Sequence, residues 1–268
     1  MQTSMKKNSF DNAKLTHSDG RMHHLGINET EITSCCILTS NLERTVIIAN
    51  SFDKAEKTGE YREYITYKGE KDGFPISVMS VGMGCMPMAI AVEELKHVDC
   101  HNMVKVGTCS AILPDIKPGT IIIPKAAIRG EGATIEYINL QYPAAADLDI
   151  MFDIMNAAEQ LGEEYIMGTV RTHDAIFLES RHAHPGVEQR IEQWADLGVL
   201  AVENEIAAMF TISSLIGSHA GAVLLAVDNL TTGESIDFEK EYDLLMDKVI
   251  KIGILALQIT EQRKNNAE

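Results

Sequence analysis

Short apolar segments alternate with helical segments along most of this chain, and that alternation restricts the possible folds more than any other feature. Residues 35–38 and 103–106 have the length and composition of buried strands, whereas Leu42–Asn50 has a helical pattern. Strands that alternate with helices in this way are typical of α/β proteins. We therefore predict a single three-layer α/β/α domain with a central mixed sheet over residues 23–268, preceded by a flexible polar arm over residues 1–22.

The composition disfavours several classes of protein. With 45% hydrophobic residues among 268, the chain can bury a substantial core. A formal net charge of −16 argues against nonspecific binding to nucleic acid or to anionic lipid. The five cysteines form no C-x-x-C pair, the first residues lack a signal-peptide pattern, and no apolar run approaches the roughly 20 residues of a membrane span. These features predict a cytoplasmic globular protein with reduced, packed thiols.

Two carboxylates mark the junction between a predicted strand, residues 199–202, and a helical pattern that contains Ile206 and Phe210. Glu203 and Glu205 stand at this junction. In an α/β sheet, ligands bind at the carboxyl ends of strands, so the pair is a candidate site. The alternative is that acidic residues favour the first turn of a helix, where the backbone N–H groups carry partial positive charge.

The glycine turn Gly82-Met-Gly84 follows a predicted strand and precedes a helix, as a dinucleotide-binding motif does. Pro87 occupies the position of the third glycine, so the motif is incomplete and a nicotinamide cofactor is disfavoured. The exposed backbone N–H groups of such a turn are still suited to an anion.

Six segments, in register along the chain, together resemble one family. They are His24-Leu-Gly26, Arg62-Glu-Tyr64, Ser80-Val-Gly-Met-Gly84 with Ile90-Ala-Val-Glu-Glu-Leu95, Lys105-Val-Gly-Thr-Cys-Ser-Ala-Ile-Leu-Pro114, Tyr142-Pro-Ala-Ala-Ala-Asp147 and Val202-Glu-Asn-Glu205. They are similar to the motifs of the nucleoside phosphorylase-I superfamily, the purine nucleoside and uridine phosphorylases, and the pattern is nearest to the uridine phosphorylase-like branch. The resemblance implies that the mixed central sheet is partly barrel-like.

The resemblance also implies an activity and an assembly. The family carries out reversible phosphorolysis of a ribonucleoside to a free base and ribose 1-phosphate in nucleoside salvage. Inorganic phosphate is the co-substrate, and neither a cofactor nor a catalytic metal is implied. The sites are shared across a homodimer, and three dimers usually form a hexamer. Some members bind K⁺ at the dimer interface, which here would involve Glu63 and Ser80.

The resemblance implies three groups of substrate-binding residues. Phosphate would contact Ser40, Arg44, Lys105 and Thr108, together with Arg62 from a neighbouring subunit. Ribose would contact Thr108, Asn204 and Glu205, together with His24 from the neighbour. The base pocket would contain Phe177, Arg181 and Asp228, and the residues closest to the chemistry would be Glu205 and Asp228.

Each of these residues also has an ordinary structural interpretation. Arg44 fits a solvated surface charge, and Thr108 fits a turn residue bonded to its own backbone. Arg62, on a strand predicted over residues 61–67, fits a cross-strand ion pair. His24 fits a structural or idle histidine, and Asp228 fits a cap after a strand.

The chain departs from the family pattern around the phosphate. Ser40-Asn41 replaces a Gly-Asp pair in the first phosphate turn, and Asn204 replaces a methionine that packs on ribose. Lys105 replaces an arginine, so that a bidentate fork becomes a point charge. These changes motivate two alternatives to phosphorolysis: a nucleosidase that uses water, and a catalytically weak nucleoside-binding protein.

The identity of the base stays open at this stage. The overall pattern favours uridine, but no Gln-x-Arg motif for uracil is visible in residues 172–182. Ala226-Val-Asp-Asn-Leu230 is instead similar to a segment of purine-cleaving members, in which the aspartic acid protonates a purine ring nitrogen. On this chemistry we expect purines, or a broad range of bases.

Overall fold

The computed structural model of the chain describes residues 15–179 and 184–265. Within these ranges the strands are β1 Cys35–Thr39, β2 Lys54–Tyr61, β3 Tyr64–Lys71, β4 Phe74–Ser80, β5 Asn102–Ala111, β6 Ile121–Gly130, β7 Ala144–Ala145, β8 Tyr165–His173, β9 Ala201–Glu203 and β10 His219–Asn229. The helices are α1 Leu42–Asn50, α2 Cys85–His97, α3 Ala133–Tyr137, α4 Leu148–Leu161, α5 Val187–Asp196, α6 Ile206–Ile216 and α7 Tyr242–Asn265.

One mixed sheet contains all of these strands, and half of it closes on itself. The order is β10-β6-β8-β9-β5-β1-β4-β3-β2, with β7 beside β6. Because β10 also pairs with β5, the strands β10, β6, β8, β9 and β5 form a closed five-stranded barrel. The remaining strands extend from β5 as an open sheet. The predicted mixed, partly barrel-like sheet is confirmed.

Helices cover both faces of the sheet and give the predicted three-layer architecture. On one face α4 and α7 pack against each other and against β10, and α7 also contacts β5 and β1. On the other face α2 packs against α6, which contacts β6, β7, β8 and β10. Between them, β5 and β10 are largely buried, as expected for strands covered on both faces.

Gly253 lets α7 lie close to β5, and this contact yields a prediction. A Cβ atom added at Gly253 would lie 2.6 Å from Cγ2 of Val106. In an unconstrained helix, alanine is more favourable than glycine by about 1 kcal/mol. Here we expect the opposite preference. Gly253→Ala should lower the free energy of unfolding by about 1–3 kcal/mol, the usual cost of overpacking.

Chemical denaturation of the Gly253→Ala variant measures this effect. Lys251→Ala, on the exposed side of the same helix, is the matched control and should change the free energy of unfolding by less than about 0.5 kcal/mol. A gain in stability for Gly253→Ala would show that the helix does not press on Val106.

The edge of the sheet differs from the sequence prediction. The prediction of a single strand over residues 61–67 was wrong, because the chain reverses at Arg62 and Glu63 between β2 and β3. Arg62 has a φ of 57°, in the left-handed region. Arg62 therefore stands at an exposed hairpin turn rather than within a strand.

The first described residues are tied to the domain. Met22, Leu25 and Ile27 are buried in the main core, and Thr16 forms a backbone bridge with Met22. Residues 1–14 lie outside the described residues, so the boundary at residue 22 stays a prediction. All five cysteines are buried free thiols. None of the helices in the described ranges is long and apolar enough to cross a membrane.

Candidate active site

The carboxyl ends of neighbouring parallel strands bring most of the predicted residues to one edge of the sheet. The last residue of β1, Thr39, pairs with Ser80 at the end of β4. Near the end of β5, Ser110 pairs with Asp228 of β10, and β9 joins the same part of β5 from the other side. Ligand sites in α/β proteins form at such an edge, so the strand order itself places the site.

Arg44 reaches this edge from the first turn of α1, which begins where the Asn41 side chain accepts a hydrogen bond from the Arg44 backbone N–H. The Arg44 residue is only 5% exposed, so the interpretation as a solvated surface charge is wrong. Its Nη1 donates to Thr39 Oγ1 at 3.2 Å and to the Val106 carbonyl at 3.5 Å, and its Nη2 donates to the Tyr242 hydroxyl at 2.9 Å. Its buried Nε–H has no hydrogen-bond partner among the described residues and is available to an anion.

Lys105 extends from β5 into a buried cluster of charges, with its side chain 1% exposed. Its Nζ donates to Oε2 of Glu205 and lies 3.4 Å from Oε2 of Glu203. Burial opposes the charge on this amine, but the attraction of Glu205 and Glu203 outweighs it and raises the pKa of Lys105. The amine is therefore a cation at neutral pH.

Glu203 has a structural role at the strand-to-helix junction. Its Oε1 accepts a hydrogen bond from the Thr172 hydroxyl. Its Oε2 accepts from the backbone N–H groups of Glu205 and Ile206, at 2.8 and 2.9 Å, so that Glu203 satisfies donors at the start of α6. Burial raises the pKa of the Glu203 carboxyl, and Lys105 counters that shift. The helix-start interpretation is thus correct for Glu203.

Glu205 is held differently, by a glycine turn from another part of the chain. Its Oε1 accepts a hydrogen bond from the Gly84 N–H at 2.8 Å, and its Oε2 accepts from Lys105. Gly84 has a φ of 100°, a conformation that favours glycine, and it directly precedes α2. The glycine turn therefore binds an anion, as expected for such a turn, and the anion in contact with it is the Glu205 carboxylate.

A cavity of about 440 Å³ lies beside this cluster, and two of the predicted base-pocket residues, Phe177 and Asp228, line it. Asn204, His173 and Glu203 line it as well. A volume of this size falls within the range of small-molecule sites. The cavity combines an exposed aromatic ring with a carboxyl group at its wall, which suits a flat heterocycle that carries hydrogen-bonding atoms.

Asp228 has the environment of a proton donor. Burial raises the pKa of its carboxyl, and a hydrogen bond from Ser110 only partly opposes the shift. Its Oδ1 is buried and lacks a hydrogen-bond partner within the described part of the chain. A carboxyl group with these properties retains its proton to a higher pH than an ordinary aspartic acid.

His173 is neutral over the physiological range, and a pH dependence follows. Burial, and then the neighbouring Arg171 guanidinium, lower the pKa of His173 to about 4. The unfolded chain binds this proton near pH 6.5, so stability is lost as the pH falls from about 6.5 to about 4. We expect this histidine to contribute at most about 3 kcal/mol of that loss.

Thermal denaturation of wild type and His173→Gln between pH 7 and pH 4 tests this expectation. The variant should lose part of the acid destabilisation, whereas His184→Gln at an exposed position should behave as wild type. Identical pH profiles for wild type and His173→Gln would contradict the assignment.

Comparison with known proteins decides the family. The family model described as phosphorylase superfamily matches residues 34–258. The chain belongs to the phosphorylase superfamily. A uridine phosphorylase of Treponema pallidum is 36% identical over 222 residues, which are 81% of this chain and 86% of that protein. A guanosine phosphorylase of Halorubrum lacusprofundi is 30% identical and shares 82% of this chain and 89% of its own length.

The fold of this phosphorylase superfamily member also matches a solved structure. The uridine phosphorylase from Vibrio fischeri ES114 matches with a TM-score of 0.79 and 27% identity, and the match covers 90% of this chain and 98% of that one. These comparisons confirm the resemblance to the uridine phosphorylase-like branch, and with it the assignment as a nucleoside phosphorylase, a pentosyltransferase.

The predicted site residues that the structure describes lie in two regions, and Phe177 lines the cavity beside the first of them. Ser40, Arg44, Lys105, Thr108, Asn204, Glu205 and Asp228 belong to the segments that meet at the strand edge. His24 and Arg62 belong to the region around the exposed β2–β3 turn and α2, where His24 Nδ1 lies 2.6 Å from Glu94 Oε1 and Arg62 lies over the Tyr61 ring. Arg181 lies outside the described residues.

Two residues of the candidate site in this phosphorylase were not predicted from the sequence. Tyr242 contacts Arg44 across 198 positions, and nothing local in the sequence signals that contact. His173 is the last residue of β8, and a histidine at a strand end is a signal that was available. Among the described residues, no group of three or more His, Cys, Asp and Glu side chains is placed to hold a metal ion.

Proposed function

We propose that this protein is a nucleoside phosphorylase that transfers the ribosyl group of a ribonucleoside to inorganic phosphate. The observation that carries the proposal is the arrangement of Arg44, Glu205 and Asp228 at one sheet edge, beside a cavity of suitable size. Cleavage of the glycosidic bond builds positive charge on the sugar and negative charge on the departing base. A fixed anion, a diol-binding carboxylate and a proton donor meet those needs.

Phosphate would be held by donors at the ends of β1 and β5. Arg44 offers its unpartnered Nε–H, and the partly exposed hydroxyls of Ser40 and Thr108 add further donors. Arg62 from a second copy of the chain would supply another guanidinium. The role of Lys105 is argued separately below, because its amine is paired with two carboxylates.

Ribose would be held by Glu205. A carboxylate offers about four lone-pair positions, and the Gly84 N–H and Lys105 occupy one on each oxygen. One position on each oxygen is left, which matches the two hydroxyls of the 2′,3′-diol. Asn204 lies beside it on the cavity wall, and His24 from a second copy would approach the 5′-hydroxyl.

The base would occupy the cavity, with Phe177 against its face and Asp228 as proton donor. A carboxyl with a raised pKa is suited to protonate a purine ring nitrogen as the bond breaks. Relatives named guanosine phosphorylase and uridine phosphorylase both match this chain, so purines and uridine are the two candidates. We infer a preference for purines from Asp228, and Arg181 stays a predicted contact.

A homodimer with shared sites follows from the same proposal. The apolar side chains Leu42, Val46 and Ile47 of α1 are 40–48% exposed, and α1 packs against the hairpin that presents Arg62. Their burial in a dimer would bring Arg62 towards another copy. Assembly of three dimers into a hexamer, K⁺ near Glu63 and Ser80 at the dimer interface, and a cytoplasmic location are further parts of this proposal.

The test is cleavage of inosine, guanosine, adenosine and uridine, each with and without inorganic phosphate, followed by chromatography of the released base. The proposal requires release that depends on phosphate for at least one of them. Absence of phosphate-dependent cleavage for all four would defeat it.

Hydrolysis is the second candidate, favoured by the pairing of Lys105 with two carboxylates and by Ser40-Asn41 in the phosphate turn. A nucleosidase would release base at the same rate without phosphate. Thermal stabilisation by a nucleoside without turnover would instead indicate a nucleoside-binding protein.

A further inference from the structure

We propose that Lys105 is a positioning residue that orients Glu205 for the ribose diol and contributes little to holding phosphate. The proposal rests on the function proposed above, since it assigns Glu205 to ribose. It differs from the assignment that the family resemblance implies for this position, where an arginine would contact phosphate.

The contacts of the amine support this role. The Lys105 side chain is 1% exposed and its Nζ contacts Oε2 of Glu205 and Oε2 of Glu203. A lysine ammonium has three donors and no planar fork, so it cannot grip a phosphate in a bidentate manner while it serves two carboxylates.

The net charge of Lys105, Glu203 and Glu205 also argues against a phosphate contact. One ammonium lies between two carboxylates, so the buried group as a whole carries a negative charge when Glu203 and Glu205 are ionised. An inorganic phosphate anion placed against it would be repelled, and burial strengthens that repulsion. Arg44 is a better anchor, because its guanidinium contacts only neutral oxygens among the described residues.

The acceptor positions show which carboxylate the lysine serves. Among the described residues Glu203 receives four hydrogen bonds, three of them on Oε2, from two backbone N–H groups and from Lys105, and one on Oε1, from Thr172. Within the described ranges Glu205 receives two hydrogen bonds, one on each oxygen, from Gly84 and Lys105. Lys105 thus links the carboxylate that serves the start of α6 to one that can still accept a hydroxyl group on each oxygen.

The backbone fixes the lysine in this position. A Cβ atom at Gly107 would lie 3.1 Å from Cε of Lys105 and 3.1 Å from Cδ2 of Leu224. The lysine stem therefore runs tightly along its own strand, and the position of the amine is set by packing as well as by charge.

Steady-state kinetics of Lys105→Met test the proposal, with guanosine or uridine and the matching 2′-deoxynucleoside as substrates. We expect kcat/KM for the ribonucleoside to fall by about 10–10²-fold, the effect of one charge-assisted hydrogen bond. The preference for ribose over 2′-deoxyribose should shrink, and the KM for phosphate should stay within about 3-fold, as expected for a group that does not touch phosphate. A rise in the phosphate KM as large as the rise in the nucleoside KM would overturn the proposal.

A second set of variants keeps the test valid if Lys105→Met folds poorly. In a Glu205→Gln background, Lys105→Met should have little additional effect on the nucleoside KM, because the lysine acts through Glu205. Additive effects would overturn the proposal. Lys105→Arg should retain the ribose preference, and Lys248→Met, which removes a lysine paired with Glu163 on the surface, is the control.

Failure of the proposed function would be seen separately. If the wild type cleaves no nucleoside, calorimetric titrations of wild type and Lys105→Met with guanosine or uridine, and with inorganic phosphate, decide the role of Lys105. Loss of nucleoside binding alone supports the positioning role, and loss of phosphate binding overturns it.

Discussion

Asp228→Asn is expected to lower kcat for guanosine or inosine by about 10²–10⁴-fold, the usual contribution of a general acid. Asparagine fits the same space but cannot give a proton to the departing purine. Uridine has no ring nitrogen that requires this proton, so its cleavage should change by only a few-fold. The expected result is therefore a change in base preference, measured as the ratio of kcat/KM for guanosine and uridine.

The pH dependence gives an independent readout of the same role. As the proposed proton donor, Asp228 would act in its acid form, and burial raises the pKa of its carboxyl. Purine cleavage by the wild type should therefore decline as the pH rises through that pKa, and the variant should lack this limb of the profile. Asp237→Asn, at an exposed carboxyl paired with Lys240, is the control. Equal losses on guanosine and uridine would indicate a structural role for Asp228.

Arg44→Met is expected to raise the KM for phosphate by about 10²-fold, since charge-assisted hydrogen bonds contribute about 1.5–3 kcal/mol. Methionine fills part of the volume of the buried side chain but supplies no donor. The KM for the nucleoside should change little, because Arg44 contacts Thr39, Val106 and Tyr242 rather than the Glu205 cluster. Initial rates at varied phosphate concentration measure the effect.

Two further variants show whether the effect of Arg44→Met is specific. Arg44→Lys keeps the charge but loses the fork, so its phosphate KM should lie between those of wild type and Arg44→Met. Arg263→Met removes a surface guanidinium paired with Asp149 and Asp153, and it should leave both KM values unchanged. An unchanged KM for phosphate in Arg44→Met would show that phosphate does not bind at Arg44.

The parts of the fold that local signals determine were predicted well from the sequence. The helix predicted over Leu42–Asn50 appears as α1, and the strand-to-helix junction at residues 199–210 appears as β9 and α6. The predicted strand over residues 61–67 was wrong because Arg62 adopts a left-handed conformation without a glycine to signal it. The strand predicted over residues 103–106 continues to Ala111, since pairing with β10 and β9 supplies hydrogen bonds that no local pattern shows.

The candidate site was predictable in its residue types but not in its division of roles. The sequence placed Glu203 and Glu205 at a strand end without deciding which one serves the helix. That choice depends on Thr172 and Lys105 for Glu203 and on the Gly84 N–H for Glu205, which are contacts between distant parts of the chain. The resemblance likewise gave Lys105 a position near the substrates, but its pairing with two carboxylates required the structure.

The most direct test of the account is to identify what receives the ribosyl group. Phosphorus-31 nuclear magnetic resonance of a reaction that contains guanosine or uridine, inorganic phosphate and the protein would follow the acceptor itself. Phosphorolysis should give ribose 1-phosphate in amounts equal to the released base, and nucleoside should form when base and ribose 1-phosphate are supplied. Free ribose with an unchanged phosphate signal would contradict it.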